Sequence, residues 1–128
     1  MKILLDTHTL LWYQNDSKKL SKKAKALIRD VNNYIYVSIA SFWEIAIKSD
    51  IGKLKLDFNL SDLKYMIKEY EFEILDVTIA QIENLPSFQK HHKDPFDHLL
   101  ISQAITENLT LITKDSQFTK YKELKTQW

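Results

Sequence analysis

Lys2-Ile3-Leu4-Leu5-Asp6-Thr7-His8 is the stretch that decides the fold class. Its aliphatic run is too brief and too uniformly apolar for a surface helix, so it reads as a short buried strand. The run stops on a carboxylate, which places the Asp6 charge at the rim of a core. Comparable runs follow. Tyr34-Ile35-Tyr36-Val37-Ser38 is aromatic and β-branched, Phe72 to Val77 is a third candidate strand, and Leu109 to Thr113 is a fourth that leads into Lys114-Asp115.

Helical spacing fills the intervals. Ala24, Leu27, Ile28 and Val31 share a face after Ser21 as N-cap. Ala40 to Lys48 sets Phe42, Ile45 and Ala46 on one side, and Gly52, the chain's one glycine, suits a left-handed C-cap beyond it. Ser61 to Tyr70 and Thr78 to Leu85 are two more helices, the latter in register through Ile79, Ile82 and Leu85. Asp94-Pro95-Phe96-Asp97 opens the clearest one: Asp94 as N-cap, Pro95 in the first turn, Asp97 as the acid of a capping box, and a broad apolar face from Leu99 to Ile105. Strands alternating with helices imply a parallel α/β sheet covered on both faces.

Composition narrows the function classes. The 128 residues fit a single domain, 1–128, of ordinary soluble composition, 45% hydrophobic and 27% charged. The absence of cysteine excludes disulfides and thiolate metal sites. No signal peptide and no membrane-length apolar stretch are read, so a cytoplasmic protein without membrane contact is expected. A single glycine excludes a Gly-rich phosphate loop. The net charge of +1 gives no global basic field, but lysines cluster at Lys18, Lys19, Lys22, Lys23 and Lys25 and again at Lys114, Lys120, Lys122 and Lys125. Such clusters can track phosphates.

Asp6, Glu44, Asp97 and Asp115 each stand at a joint of a strand or helix. Asp6 and Asp115 read as strand ends, and Glu44 and Asp97 as residues near helix starts. Ligands of open α/β sheets sit beyond the carboxyl ends of the strands, where all four carboxylates can converge. Their repulsion is relieved by a divalent cation, and an oxygen-only set favours Mg²⁺ or Mn²⁺ over Zn²⁺. Thr7 and Thr113 place hydroxyls beside the acids. His98, with His8, flanks them as an accessory group, and Asp94 is a cap first and an accessory acid second. His91 and His92 are adjacent and expected to diverge, so no zinc site is read. Trp12 and Trp43 are expected to be core or interface aromatics rather than stacking platforms.

In order along the chain, Leu4-Leu5-Asp6-Thr7-His8 with Leu11-Trp12, Ser41-Phe42-Trp43-Glu44-Ile45-Ala46-Ile47-Lys48, Gly52-Lys53-Leu54, Asp94-Pro95-Phe96-Asp97-His98-Leu99-Leu100-Ile101 and Leu111-Ile112-Thr113-Lys114-Asp115 form a pattern. It resembles the PIN-domain family and, within it, the VapC-type toxin nucleases of prokaryotic toxin–antitoxin pairs. The resemblance implies a three-layer α/β/α domain with a central, mainly parallel sheet of four or five strands. It implies Mg²⁺- or Mn²⁺-dependent cleavage of RNA, hence an endoribonuclease, in which in-line attack by a metal-activated water would leave a 5′-phosphate and a 3′-hydroxyl. Its acids fall on Asp6, Glu44, Asp97 and Asp115, with Asp6, Asp97 and Asp115 holding metal and Glu44 completing the pocket. It further implies RNA as substrate, a homodimer and a small antitoxin partner. His98 departs from the pattern, since related sequences often carry arginine there. Two alternatives stand beside this reading. One is a phospho-acceptor receiver-like module, which would want paired acids where Asp6 is followed by Thr7-His8. The other is a PIN-like domain that binds RNA without cutting it.

Overall fold

The computed structural model describes residues 1–128. Five strands, β1 (Lys2–Leu5), β2 (Tyr34–Ser38), β3 (Glu73–Leu75), β4 (Thr110–Ile112) and β5 (Lys125–Gln127), pair in parallel in the order β3-β2-β1-β4-β5. Six α-helices intervene: α1 (Thr7–Gln14), α2 (Lys22–Arg29), α3 (Ile39–Asp50), α4 (Leu63–Glu69), α5 (Ile79–Glu83) and α6 (Pro95–Thr106). The strands run one way from β1 to β3, and β4 then inserts on the other side of β1. The crevice between β1 and β4 is therefore the switch point of the sheet. A receiver-like order of 2-1-3-4-5 is not what this chain adopts.

Residues 3–5 of the central strand are apolar and buried because both its faces are covered. Ile3 and Leu5 pack with Leu10, Leu11, Ile28, Ile45 and Ile67 on one side. Leu4 packs with Leu100, Ile101, Phe118 and Tyr121 on the other. This makes the expected three layers. No helix is long and apolar enough to cross a membrane.

Local signals set the helix ends. The Ser21 and Ser38 hydroxyls accept from the N–H groups of Ala24 and Ala40, and Thr78 forms a capping box with Gln81. α3 ends in a Schellman motif: Lys53 N–H reaches Lys48 O, Gly52 N–H reaches Ser49 O, and Gly52 takes φ +77°.

Several expectations need correction. α2 stops at Arg29, so Val31 lies past the helix and is 94% exposed. The 61–70 segment is a 3₁₀ turn, Leu60–Asp62, followed by a shorter α4. The third strand keeps only Glu73–Leu75 because it is an edge with one neighbour. On α5 the core-facing residue is Gln81, whereas Ile79 and Ile82 face outward. Gln81 is buried because it joins a polar network: its carbonyl accepts from Ser102, and its side chain accepts from Gln103 Nε2 at 3.1 Å.

Candidate active site

Asp6 follows β1 directly and occupies the N-cap position of α1, yet its carboxylate makes no capping hydrogen bond. It turns instead across the switch point. Asp6 N–H donates to Ile112 O of β4 at 3.1 Å, and the Thr113 hydroxyl donates to Asp6 Oδ2 at 2.9 Å. Asp6 is 5% exposed. Burial pushes its carboxyl up to about 6; the Thr113 hydroxyl and the charge of His8 act against this, and Glu44 adds to it.

Glu44 lies in the second turn of α3 and is 2% exposed. That is beyond the first turn, where the helix dipole would favour an acid. Thr7, the first residue of α1, donates its hydroxyl to Glu44 Oε1 at 2.7 Å and lies 2.9 Å from Ser41 Oγ. The other Glu44 oxygen pairs with Lys48 one helical turn on. Burial alone would depress Lys48. The bond to Glu44, and the charges of Glu44, Asp94 and Asp97, override it and raise the ammonium above its usual range. Lys48 is thus a fixed positive charge at the edge of the acid group, a role not read from the sequence. Its i,i+4 spacing from Glu44 was the available signal.

Asp97 lies in the first turn of α6 and is 9% exposed. The expected capping box does not form. Asp94 alone caps the helix, accepting from Phe96 N–H at 2.9 Å and Asp97 N–H at 3.3 Å. Asp97 Oδ2 instead contacts His92 Nε2 at 2.9 Å. Burial, then the charges of Asp94, Asp6, Glu44 and Asp115, push Asp97 up to about 8. His92 is lowered, mainly by burial and by His98. Its contact with Asp97 thus involves a ring whose charged form burial disfavours.

Asp115 is exposed at the rim. It is not a strand terminus: β4 ends at Ile112, and Asp115 caps a 3₁₀ turn by accepting from Gln117 N–H at 2.9 Å. Its own N–H donates to Thr113 Oγ1 at 3.1 Å, so one threonine links Asp115 to Asp6. His98 turns its Nε2 to the carbonyl of His92 at 2.6 Å. His91 and His92 do not diverge as expected, since both rings pack on Tyr121, at 4.8 and 5.6 Å between centroids.

The fold thus collects Asp6, Glu44 and Asp97 as buried carboxylates that feel one another, with Asp94 and Asp115 at the margin. No three histidine, aspartate or glutamate side chains close around one point as a ready-made cage. The donor chemistry suits Mg²⁺ or Mn²⁺ all the same. Mg²⁺ keeps several waters and takes only one or two carboxylates, and a cation would relieve the repulsion that raises Asp97.

One lysine of each cluster meets the other at Trp12. Lys19 and Lys114 bring their ammonium groups to 6.0 and 5.9 Å from the Trp12 ring, which also contacts His8 at 5.8 Å and Trp128 at 5.9 Å.

Comparison with known proteins agrees with this fold. The family model for the PIN domain matches residues 3–124. No curated protein matches the sequence. Among solved structures, VapBC2 from Rickettsia felis, bound to a DNA fragment from its promoter, superposes with a TM-score of 0.73 at 20% identity, covering 100% of this chain and 99% of that one. DNA-bound VapBC from Salmonella typhimurium gives 0.67 at 14%, covering 99% and 97%. VapBC-1 from nontypeable Haemophilus influenzae gives 0.66 at 18%, with coverage of 99% and 97%. At these identities the likeness establishes the fold.

Proposed function

The chain belongs to the PIN domain family, and from that premise we propose that residues 1–128 form one nuclease domain, a divalent-metal-dependent endoribonuclease that acts as the toxin of a cytoplasmic toxin–antitoxin pair. The observation that carries this reading is the meeting of Asp6, Glu44 and Asp97, all buried, at the β1/β4 switch point. A structural ion network would pair such acids with bases. Here only Glu44 has a lysine partner, and Asp97, whose one basic neighbour in hydrogen-bond contact is the His92 ring, faces four other acids.

Asp6 and Asp97 would hold Mg²⁺ or Mn²⁺, with Asp115 reaching it through water. A cation so bound supplies a water of lowered pKa and neutralises charge on the phosphate. Glu44 shapes the pocket and anchors Lys48, and Thr7 and Thr113 fix the orientation of Glu44 and Asp6. Four intact acids favour cutting over mere binding.

RNA would run over the lysines that converge on Trp12. Log affinity for single-stranded RNA falls with log salt by about 0.7 per phosphate contact. The double variant Lys19→Ala, Lys114→Ala is expected to flatten that slope by about 1.4, read by fluorescence anisotropy between low and moderate salt. An unchanged slope would remove these lysines from the RNA path.

A small antitoxin is the proposed protein partner, and the structural neighbours are themselves toxin–antitoxin complexes. A homodimer is proposed on α3. Ile39, Trp43, Ile47 and Ile51 recur at helical spacing and are exposed by 42%, 58%, 39% and 57%, an apolar stripe unusual for a surface that stays in water. Trp43→Glu is expected to convert a dimer to a monomer in sedimentation. A wild-type monomer at micromolar concentration would contradict the proposal.

A further inference from the structure

Asp97 is gripped from outside the acid group by a chain of hydrogen bonds. The His91 N–H donates to Tyr121 Oη at 2.9 Å, occupying one lone pair of the phenol oxygen. His92 Nδ1 lies 2.8 Å from the same oxygen. The ring proton sits on one of the two nitrogens, and the direction of both contacts follows that tautomer. In the Nε2–H tautomer the phenol donates to Nδ1 and Nε2 donates to Asp97 Oδ2, 2.9 Å away, so the polarity runs from the His91 amide through the Tyr121 phenol and the His92 ring to Asp97.

Both ends of this chain are fixed. Tyr121 is 2% exposed and sits in the core against Phe88, edge to face at 5.9 Å. The His92 ring also packs edge-on against Phe118 at 5.7 Å. His98, the residue after Asp97 on α6, donates to the His92 carbonyl at 2.6 Å and ties the His92 segment to the helix that carries the acid. Neither end rests on a free loop.

We propose that His92 and Tyr121 are positioning residues for Asp97: they hold one carboxylate oxygen so that the other is presented to the acidic cleft in a fixed orientation before any cation arrives. This rests on the reading of Asp97 as a ligand given above. Partners that orient a metal-ligating group in this way contribute about 10–100-fold in metal affinity or activity. The role is distinct from that of Lys48, which supplies charge. The imidazole supplies direction, through its 2.9 Å contact with Asp97 Oδ2.

The test combines two readouts on the full-length protein. In the wild type, long-range ¹H–¹⁵N spectra should show His92 as the neutral Nε2–H tautomer. His92→Leu should raise the Mn²⁺ dissociation constant, measured by electron paramagnetic resonance of free Mn²⁺, by about 10–100-fold, with the RNA KM unchanged. His92→Gln keeps an N–H donor on a side chain of similar reach and should recover most of the loss. If His92→Leu does not fold, Tyr121→Phe reads the same link: it keeps the ring, and should give mixed tautomers and weaker Mn²⁺ binding. An Nδ1–H tautomer in the wild type, or wild-type Mn²⁺ affinity in a folded His92→Leu variant, would overturn the positioning role alone. A wild type that binds no Mn²⁺ would overturn the metal-site reading and this inference with it.

Discussion

Asp6→Asn is expected to lower RNA cleavage by about 10³-fold or more, equivalent to about 4 kcal/mol of barrier, while leaving the protein folded. The asparagine keeps the size of the side chain, and its carbonyl can still accept from the Thr113 hydroxyl that bridges β1 and β4. What disappears is the negative charge at the switch point. In metal-free solution that charge is a liability, since burial already pushes Asp6 up to about 6. The variant's melting temperature in chelator should therefore equal or exceed that of the wild type. Cleavage near the wild-type rate by a folded Asp6→Asn protein would remove Asp6 from the chemistry.

Asp97 gives the second large effect, and its sign is opposite to that of a normal salt-bridged acid. Its carboxyl is raised from 3.8 to about 8 in the fold. Between those values the folded protein holds a proton that the unfolded chain has released, so stability falls as pH rises through the window. Asp6 adds to the decline up to about pH 6. Metal-free wild-type protein should accordingly melt at progressively lower temperature from pH 5 to pH 8. Asp97→Asn removes most of that slope. Even after discounting for water at the cleft mouth, it should stabilise the metal-free protein at pH 8 by about 1 kcal/mol, or ~4 °C for a domain of this size. Metal reverses the ranking. At a hundred times its Kd, Mg²⁺ should add about 2.7 kcal/mol to the wild type and little to the variant. Scanning calorimetry in chelator and in Mg²⁺ checks both arms. A wild type that gains stability between pH 5 and pH 8 in chelator would contradict the electrostatics argued for this site.

The parts of this molecule legible in its sequence are those where one physical demand dominates. β1 and β2 read to the residue because the buried middle of a strand covered on both faces must be apolar. The short edge strands do not carry that signature: β3 was overextended, and β5, Lys125-Thr126-Gln127, has no apolar residue to betray it. α1 escaped notice because its apolar and polar residues do not segregate. Thr7 and Thr9 are buried in it, held by hydrogen bonds to Glu44 and to the carbonyl of Ile112. Ile79 and Ile82 fitted a helical register, but a polar network had already claimed the inner face of α5.

The candidate site divides in the same way. Asp6, Glu44 and Asp97 stood out because charge at the joint of a buried element needs a reason. Asp115 stood out for the same reason, but its turn chemistry carries it to the rim. The roles of His92 and Tyr121 are invisible, because the contact of His92 with Asp97, and of Tyr121 with His92, depends on how the segment before Asp94 folds. Asp97 reads as a capping acid as well as a ligand, and the capping task is one that Asp94 performs alone.

The most direct measurement is cleavage of an end-labelled RNA by the wild-type protein in Mg²⁺ and in excess chelator, with the product ends mapped. The expected result is cleavage in Mg²⁺ that leaves 5′-phosphate and 3′-hydroxyl ends and stops in chelator. Undiminished cleavage in chelator, or products ending in a 2′,3′-cyclic phosphate, would contradict a metal-dependent phosphodiesterase built on these acids.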